Sequence, residues 1–439
     1  MTRNAVVRQA KVTQAGPSDR QADPVALKIL VLTPQFPYPP HQGTTIRNYN
    51  LIDYLARRHT VHLLSFGDPT HSQDTPLQSV CRSVQVVWPP QRTMRQRLSG
   101  LFFSGLPDMA QRLPSAQFRA ALAATLERET PDVLQVEGIE MAQYLLQAAD
   151  SRGPGRQRPL LVFEDHNAEY VLQQRAFETD ARRPRRWIGA GYSFIQWQRL
   201  RGYERRVCLA ADRVVAVSET DSAALRRLES SLSPAVVPNG VDMAFYTAPS
   251  PALDAQQAPG VLDLVFTGKM DFRPNVDAVL WFAQDVLPLL RQSSPGSRFW
   301  VVGQNPHARL AALADQPGVV VTGRVEDVRP YIAAAGVYVV PLRIGGGTRL
   351  KVLEAMAMGK PIVSTRLGCE GFDLVADREL AVADTPAEFA SAILALLDDA
   401  DRRERMGQAA RLFAGSRYDW SAIGPRLESV YAESRSEAE

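Results

Sequence analysis

The chain has 439 residues, of which 45% are hydrophobic and 22% are charged, a balance typical of a folded globular protein with two or three domains. This length and this balance exclude a small disulfide-stabilised scaffold and a disordered or fibrous chain. Lys and Arg total 50 against 47 Asp and Glu, and the net charge of +3 is too small to indicate a dedicated nucleic-acid binder.

The cysteines and the N-terminal segment bear on the cellular compartment. Cys81, Cys208 and Cys369 are scattered, with no CxxC or Cys/His spacing, and therefore predict neither a zinc site nor a disulfide framework. We expect a protein of the reducing cytoplasm. No run approaches the roughly 18 apolar residues of a membrane span. Residues 1–24 are polar and lack the apolar middle of a signal peptide, so we predict a disordered leader there.

From residue 25 onward, apolar runs of strand length alternate with amphipathic segments, which predicts a parallel, doubly wound α/β sheet. The predicted strands are 28–33, 61–66, 132–136, 159–163, 213–217 and 235–238. Predicted helices between them include 47–57, 115–129 and 141–149. We assign these elements to a first domain, residues 25–246.

A second series of the same kind follows a segment rich in proline, residues 247–260, which we interpret as a linker. Its predicted strands are 262–267, 299–303, 319–322, 337–341, 361–365 and 380–382, and its predicted helices begin at Val276, Arg309, Val328, Leu350 and Pro386. The second domain is then 261–415. Two doubly wound, Rossmann-like domains would face a central cleft, and open α/β folds bind ligands at the carboxyl ends of their strands.

Residues 341–363 join a predicted strand, a glycine loop and a predicted helix. The glycines at 345–347 allow the backbone to approach a ligand, and amides at a helix N-terminus favour an anion. Arg349 and Lys351 add positive charge, while Glu354, on the same helix face as Lys351, suits a ribose diol. This combination predicts a nucleoside diphosphate site. The alternative is a tight turn into a helix whose charged side chains are solvated.

The segment that ends in EAMAMGKPIV, residues 354–363, resembles the family 4 glycosyltransferases, which have the two-domain GT-B fold. The resemblance extends over nearly the whole chain after residue 27. Other matching segments, in order, are Gly43, 131–133, 211–218, 238–242 and 323–325 before Asp327. Residues 416–439, with Tyr418-Asp419-Trp420, resemble the C-terminal segment whose helix crosses back to the first domain. The subgroup that the chain resembles assembles bacterial exopolysaccharides.

The resemblance implies a retaining transfer of a hexose from a UDP- or GDP-sugar to a glycan or polyprenyl-linked acceptor, without a metal or other cofactor. The first domain would bind the acceptor and the second the nucleotide-sugar. Sugar transfer builds negative charge on the departing diphosphate, so fixed cations and backbone amides would stabilise the transition state more than the ground state.

The resemblance also implies roles for individual residues. His166 and Lys269 are the catalytic candidates: the histidine would contact the donor sugar, and the lysine would hold the diphosphate. The donor-binding candidates are Gly43, Gly268, Lys269, Gly323, Val325, Gly346, Gly347, Thr348, Arg349, Lys351 and Glu354. No metal ligand is expected. The alternatives are a surface lysine at 269, a histidine bonded within its own loop and a simple turn at Gly43; Thr44 and Arg47 are weaker candidates.

Two positions depart from the family pattern. A second basic residue is expected five positions after Lys269, where this chain has Pro274. Arg273, Arg349 or Lys351 could supply that charge. The family also has paired glutamates eight positions apart. This chain has the second one, Glu354, but Gly346 stands where the first would be. Because the missing carboxylate touches the donor sugar in the family, the identity of the sugar stays open.

Two segments combine basic and apolar residues: in 92–106 arginines precede leucines and phenylalanines, and in 182–206 aromatic residues are interleaved among arginines. Such segments suit the anionic inner face of a membrane, where a lipid-linked acceptor would lie. The alternative is that the aromatic rings belong to the core and the arginines to a solvated face. Nucleic acid is only a formal alternative, and we expect none as a partner.

Two other functions remain as hypotheses on the same fold. A nucleotide-sugar epimerase would need further acids and bases in the cleft, which these motifs do not show. A catalytically silent glycan-binding scaffold is suggested by Gly346, although His166, Lys269 and Glu354 are all present.

Overall fold

The computed structural model describes residues 26–93, 95, 100, 104–150, 158–181, 187–250, 253, 258–313, 315–345 and 349–436. The predicted leader, part of the predicted linker, Gly346, Gly347 and Thr348 lie outside these residues, as do 182–186 and most of 94–103. Among the residues described, no helix is both long and apolar enough to cross a bilayer.

Seven parallel strands form the first sheet. They are β1 (Lys28–Thr33), β2 (Thr60–Phe66), β3 (Ser83–Val87), β4 (Val133–Glu137), β5 (Leu160–Asp165), β6 (Arg213–Ala216) and β7 (Ala235–Val236). Their order is β3-β2-β1-β4-β5-β6-β7. The strand β3 was not predicted, because it lies at the sheet edge and its partly exposed residues give no continuous apolar run.

Helices cover both faces of this sheet. They are α1 (Gly43–Ala56), α2 (Pro76–Val80), α3 (Ala116–Glu129), α4 (Ala142–Asp150), α5 (Glu169–Ala181), α6 (Trp187–Ala210) and α7 (Glu219–Leu228). Successive residues of β1 point to opposite faces, so Leu30 and Leu32 belong to one core while Ile29 and Val31 belong to another. Burial on both faces explains the continuous apolar run of β1.

Six parallel strands form the second sheet, in the order β10-β9-β8-β11-β12-β13. They are β8 (Leu264–Thr267), β9 (Phe299–Val302), β10 (Val319–Gly323), β11 (Val337–Val340), β12 (Ile362–Ser364) and β13 (Ala381–Val382). The remaining helices are α8 (Met243–Thr247), α9 (Arg273–Trp281), α10 (Leu287–Ser293), α11 (Ala308–Ala311), α12 (Arg329–Ala334), α13 (Leu350–Ala357), α14 (Pro386–Leu397), α15 (Ala400–Tyr418) and α16 (Trp420–Ser436). The predicted class, two doubly wound α/β domains, is confirmed.

The last helix, α16, packs on the first sheet and not on the second. Ile423, Leu427 and Tyr431 are almost fully buried in the core that contains Ile29 and Val31. The chain returns to the first domain where the amide of Val241 donates to the Tyr418 carbonyl at 2.7 Å.

Both sheets reverse their strand order at one point, between β1 and β4 in the first and between β8 and β11 in the second. The loops that leave these strands diverge there and open a crevice. The predicted site residues Gly43, Lys269 and Arg349 lie in or just after such loops. The topology therefore brings the predicted motifs to the ligand-binding edges of the sheets.

Candidate active site

Gly268, Gly303 and Gly323 lie side by side at the carboxyl edge of the second sheet. A Cβ atom on Gly303 would lie 1.7 Å from the carbonyl oxygen of Gly268, so these two loops meet backbone to backbone. The amide of Gly303 donates to the carbonyl of Gly323 at 3.2 Å. Val325, just beyond, packs partly buried against the core. Gly268, Gly323 and Val325 thus belong to one edge. A Cβ atom on Gly323 would have no described atom within 4 Å, so the backbone of this glycine has open space beside it.

Lys269 extends from this edge with half of its side chain exposed. Its ammonium lies 3.7 Å from a carboxylate oxygen of Asp271, which is an exposed and therefore weak ion pair. The Lys269 carbonyl accepts a hydrogen bond from the Asn275 side chain at 2.9 Å, which fixes the backbone of the loop. The lysine side chain is consequently available to an anion while its main chain is held in place.

The glycine loop and α13 follow β11. Gly345 has a φ of +116°, in a region that L side chains rarely adopt. Arg349, at the N-cap of α13, is 9% exposed, and burial lowers the pKa of its guanidinium. Arg175 of the first domain also lowers this pKa, while Glu370 raises it. Arg349 therefore lies where charges of both domains act on it.

The side chain of Lys351 turns into the second domain. Its ammonium donates to the carbonyl of Thr267 at 2.7 Å and to the side-chain oxygen of Asn275 at 2.9 Å, and it lies 3.9 Å from the ring centre of Phe266. Burial lowers the pKa of Lys351 to about 7, although Glu354 opposes this shift. Lys351 thus supports the Gly268 turn from beneath, a role that its position in the sequence did not indicate.

Glu354 interacts with Tyr246 of α8 as well as with Lys351. Burial raises the pKa of the Glu354 carboxyl, and the hydrogen bond from the Tyr246 hydroxyl and the charge of Lys351 lower it. Tyr246 was not among the candidate residues, because its contact with Glu354 depends on the chain path between the domains. Tyr246 and Lys351 thus both act on the carboxylate in the middle of α13.

The N-termini of α1 and α13 meet across the cleft. Helix α1 begins at Gly43, four residues earlier than predicted, and the hydroxyl of Thr45 accepts a hydrogen bond from the Gln42 amide at 3.0 Å. A Cβ atom at Gly43 would lie 3.6 Å from a methyl group of Leu350, the first residue of α13. Two sets of helix N-terminal amides therefore converge, and such amides favour negative charge.

His166 lines a cavity of about 320 Å³ that also borders Gln42, Thr44, Glu140 and Glu169. Its Nε2 lies 2.7 Å from an oxygen of Glu137, so the predicted cleft histidine is held by a carboxylate of the neighbouring strand and not by its own loop. Burial lowers the pKa of His166 to about 4, although Glu164 raises it, so the imidazole is neutral at pH 7.

Arg47 lies away from the cleft, fully buried within the first domain. Its guanidinium forms an ion pair with Glu164 and donates to the carbonyl oxygens of Val237 at 2.7 Å and Pro238 at 2.8 Å. It also reaches the side chain of Asn239 at 3.2 Å. Arg47 is thus a structural residue that ties the segment 237–239 to the sheet, and not a contact for a phosphate.

Glu137, Glu164 and His166 offer ligand atoms within 4.8 Å of one another, which is close enough for a metal site. The carboxylate oxygens, however, already face nitrogen donors. Gln135 donates to an oxygen of each glutamate, Arg47 binds the other oxygen of Glu164, and His166 contacts the other oxygen of Glu137. The cluster is therefore arranged as a hydrogen-bond network. Both glutamates lie at the carboxyl ends of apolar strands, Glu137 as the last residue of β4 and Glu164 as the last but one of β5. Their positions in the sequence could therefore have indicated that they belong to the site.

A second buried acidic group lies behind His166. Glu204 accepts hydrogen bonds from the amides of Glu169 at 2.8 Å and Tyr170 at 3.0 Å, which stabilises the N-terminus of α5. Asp165 lies near Glu204, and burial together with that neighbour raises the pKa of Asp165 well above its ordinary value. Burial also raises the pKa of Glu204 to about 7. Two buried carboxyl groups thus lie near each other, and burial raises the pKa of both.

The two basic and aromatic segments differ in what the structure shows of them. Arg92 is largely buried and pairs with Asp108 at 2.9 Å. Helix α6 buries Tyr203 but exposes apolar side chains along its first turns: Trp187, Tyr192, Phe194 and Ile195. Tyr203 thus belongs to the core, as the alternative interpretation held, whereas membrane contact through the exposed residues stays a prediction.

The model of the family described as Glycosyltransferase Family 4 matches residues 41–245, and that of the family described as Glycosyl transferases group 1 matches 262–399. A phosphatidyl-myo-inositol mannosyltransferase of Propionibacterium freudenreichii is 28% identical over 230 residues, 52% of this chain and 57% of that relative. A GDP-mannose-dependent monoacylated alpha-(1-6)-phosphatidylinositol monomannoside mannosyltransferase of Corynebacterium glutamicum is 25% identical over 54% of this chain and 67% of that relative. The aligned region thus spans little more than half of the first relative's length.

Among solved structures, the sucrose-phosphate synthase of Thermosynechococcus elongatus has the same fold, with a TM-score of 0.67 at 18% identity over 93% of this chain and 100% of that one. The family models match both domains, and the two facing sheets have the architecture that the motifs implied. The chain therefore belongs to the family 4 glycosyltransferases and has the GT-B fold.

Proposed function

We propose that this protein is a retaining, metal-independent hexosyltransferase that moves a sugar from a nucleotide-sugar to a lipid-linked glycan acceptor. The observation that carries the proposal is the meeting of two helix N-termini, at Gly43 and Leu350, next to the cavity that His166 lines. Lys269 lies half exposed in the loop after β8, at the carboxyl edge of the second sheet. Helix N-termini and a lysine suit a diphosphate. A neutral imidazole at the other side of the cleft suits a sugar hydroxyl.

The transferred sugar would leave the diphosphate and join the acceptor on the same face of its ring. The bond from the anomeric carbon to the diphosphate oxygen breaks, and the acceptor hydroxyl forms a new bond on the same face. Its proton passes to the departing phosphate oxygen, so no enzymic nucleophile is needed. Lys269 and the converging amides stabilise the charge that develops on the diphosphate. In this proposal Lys269 and the amides stabilise the charge of the diphosphate in place of a metal ion.

The relatives support a hexose donor and a lipid acceptor. Two of them are named as mannosyltransferases acting on phosphatidylinositol compounds, and one is named as dependent on GDP-mannose. We therefore take GDP-mannose as the first donor to test and UDP-hexoses as the second. A polyprenyl-linked or other lipid-linked glycan, as in exopolysaccharide assembly, is the acceptor class that we propose.

A lipid-linked acceptor requires that the protein reach a membrane surface. The exposed Trp187 and Tyr192 of α6 are 73% and 42% accessible, and such side chains favour the boundary between lipid and water. We expect the protein to sediment with vesicles that contain phosphatidylglycerol more than with pure phosphatidylcholine vesicles. The double variant Trp187→Ser/Tyr192→Ser should sediment less than the wild type with both kinds of vesicle; equal sedimentation of both proteins would contradict membrane contact through α6.

The proposed activity is tested by a thermal-shift titration with UDP, GDP, ADP and their sugar conjugates, in the presence of magnesium or of EDTA. We expect one nucleotide to stabilise the protein equally in both conditions. The conjugate that stabilises it is then incubated with a lipid-linked acceptor, and NMR identifies the anomeric configuration of the product. Absence of any shift would contradict the nucleotide site, an inverted product would contradict retention, and epimerised donor without transfer would show an epimerase.

A further inference from the structure

Four side chains connect the C-terminal helix α16 to the cleft. The hydroxyl of Tyr431 is hydrogen-bonded to the side-chain oxygen of Gln135. The nitrogen of Gln135 donates to Glu137 and, at 3.0 Å, to Glu164. Glu137 in turn contacts Nε2 of His166 at 2.7 Å. Tyr431, Gln135 and Glu137 are each 2% exposed or less, so water does not compete for these bonds.

The phenol fixes the direction of the Gln135 amide. Because the amide oxygen is only an acceptor, the Tyr431 hydroxyl must donate to it. The amide nitrogen then points the opposite way, and its two hydrogens satisfy one oxygen of Glu137 and one of Glu164. Without the hydroxyl, the amide of Gln135 could rotate and bring its oxygen toward the two carboxylates. Tyr431 therefore decides which end of Gln135 meets Glu137.

The protonation state of Glu137 decides which ring nitrogen of His166 carries the proton. Gln135 donates to one oxygen of Glu137. The amide of Asn48, oriented so that its nitrogen and oxygen both find partners, donates to the other oxygen at 3.1 Å. Burial raises the pKa of Glu137, and the bond from Gln135 and the charge of Arg47 lower it. These donors favour a carboxylate, which must receive its bond from His166 as Nε2–H.

A histidine protonated on Nε2 has a lone pair on Nδ1. His166 borders the cavity of about 320 Å³, and among the described residues its Nδ1 has no hydrogen-bond partner. A Cβ atom at Gly138 would lie 3.6 Å from that nitrogen, so the glycine leaves space beside it. The free lone pair can accept a hydrogen bond from a hydroxyl group in the cavity.

We propose that Tyr431 is a positioning residue that, through Gln135 and Glu137, holds His166 in the Nε2–H tautomer, with Nδ1 accepting a hydrogen bond from a sugar hydroxyl in the cleft. The hydroxyl contact rests on the proposed function, whereas the tautomer does not. The C-terminal helix thus contributes to the site without reaching it, because its tyrosine orients Gln135 and, through it, Glu137 on strand β4.

The tautomer can be read from the ring ¹⁵N chemical shifts of His166 in the free, full-length protein, with His166→Asn identifying the signal. We expect Nε2–H in the wild type. Tyr431→Phe should raise the population of Nδ1–H about fivefold, the effect of losing one neutral hydrogen bond. Tyr54→Phe is the matched control, since it removes a hydroxyl that bonds Glu428 of α16 at 3.2 Å without touching the network. Its tautomer populations should equal those of the wild type.

A second variant keeps the test decisive if Tyr431→Phe does not fold. Glu137→Gln presents an amide to His166, so the imidazole can receive a bond on Nε2 and should shift to Nδ1–H. An Nδ1–H wild type, or unchanged spectra in both variants, would overturn the proposal. Turnover of GDP-mannose or UDP-glucose, whichever the wild type consumes, should fall in Tyr431→Phe and not in Tyr54→Phe. A wild type that consumes neither sugar would contradict the proposed function and leave the tautomer result standing.

Discussion

At the scale of single residues, the basic side chains of the motifs have different tasks. Lys269 is half exposed at the carboxyl edge of the second sheet, Lys351 is partly buried beneath the Gly268 turn, and Arg47 is buried within the first domain. Position in a motif does not distinguish these tasks, because a helix can direct a long side chain toward the ligand or toward the core. Of these three cations, Lys269 is the one that stays open to solvent.

We expect Glu354→Gln to weaken nucleotide binding about tenfold, because hydrogen bonds that involve a charged group contribute about 1.5–3 kcal/mol and the amide keeps only part of that acceptor strength. Titration calorimetry with UDP and GDP measures the change. Glu404→Gln, an exposed glutamate on α15, is the control and should bind as the wild type does. Unchanged affinity in Glu354→Gln would remove this residue from the ribose site.

Lys269→Ala should lower kcat by about 100-fold, the usual effect of losing one group that stabilises transition-state charge. Lys269→Arg keeps the charge and should retain more activity. Lys28→Ala is a suitable control, because Lys28 is exposed at the amino end of β1, opposite the cleft. Steady-state kinetics with the identified donor test this prediction, and full activity in Lys269→Ala would show that this lysine does not act on the diphosphate.

At the scale of elements, buried charges join helices and loops to the first sheet. Arg47 links α1 to β5 and to the segment 237–239, and Glu204 links α6 to the start of α5. Their partners lie between 34 and 192 residues away in the sequence. Local pattern cannot reveal such contacts, and Arg47 therefore looked like a residue of the cleft loop.

Arg47→Met should lower the free energy of unfolding by about 3–5 kcal/mol, since it leaves the Glu164 carboxylate buried without its cation. Arg57→Met, at the C-cap of the same helix, breaks a pair with Asp53 in which the arginine is 72% exposed, and should cost no more than about 0.5 kcal/mol. Urea unfolding of both variants gives the comparison. Similar values for the two would contradict a structural role for Arg47.

Asp165→Asn should stabilise the protein more at alkaline than at acidic pH. The folded pKa of Asp165 lies well above its unfolded value near 4, so the wild type loses stability as the pH rises from that value through the folded pKa. Asparagine resembles the protonated acid and does not titrate. The melting temperature of the variant relative to the wild type should therefore rise between about pH 5 and pH 8. A constant difference would contradict a protonated Asp165.

At the scale of the whole molecule, the chain passes twice between the domains. It leaves the first domain near Val241 and returns there after α15, where Trp420 begins α16 beside Gly240. A Cβ atom on Gly240 would lie 2.8 Å from the Trp420 ring, so the outgoing and returning segments are in direct contact. The first domain is therefore completed only by the last part of the chain.

We predict that Leu427→Ala destabilises the first domain specifically. Leu427 is fully buried against it, and such truncations cost about 2–5 kcal/mol. Hydrogen exchange should show reduced protection of β1 and unchanged protection of β8. Leu412→Ala, at a position on α15 that is 74% exposed, should change neither. Equal loss of protection in both sheets would show that α16 does not belong to the first domain.

The sequence predicted most of the architecture, because strands buried on both faces are continuous apolar runs and helices between them are amphipathic. It missed β3, whose edge position leaves polar and apolar residues mixed. It also placed the start of α1 four residues late, because a glycine and two threonines gave no helical periodicity. These misses occur where burial is partial and the apolar pattern is correspondingly weak.

The sequence by itself determined the α/β class, the two domains, the family and the loops in which ligands bind, since each rests on local apolar pattern or on contiguous motif residues. Only the tertiary structure decided that Glu137 holds His166, that Lys351 faces inward and that Tyr431 bonds to Gln135. Those contacts join residues 29 to 296 positions apart. The physical reason is that a buried polar group must find its partner wherever folding brings one within reach.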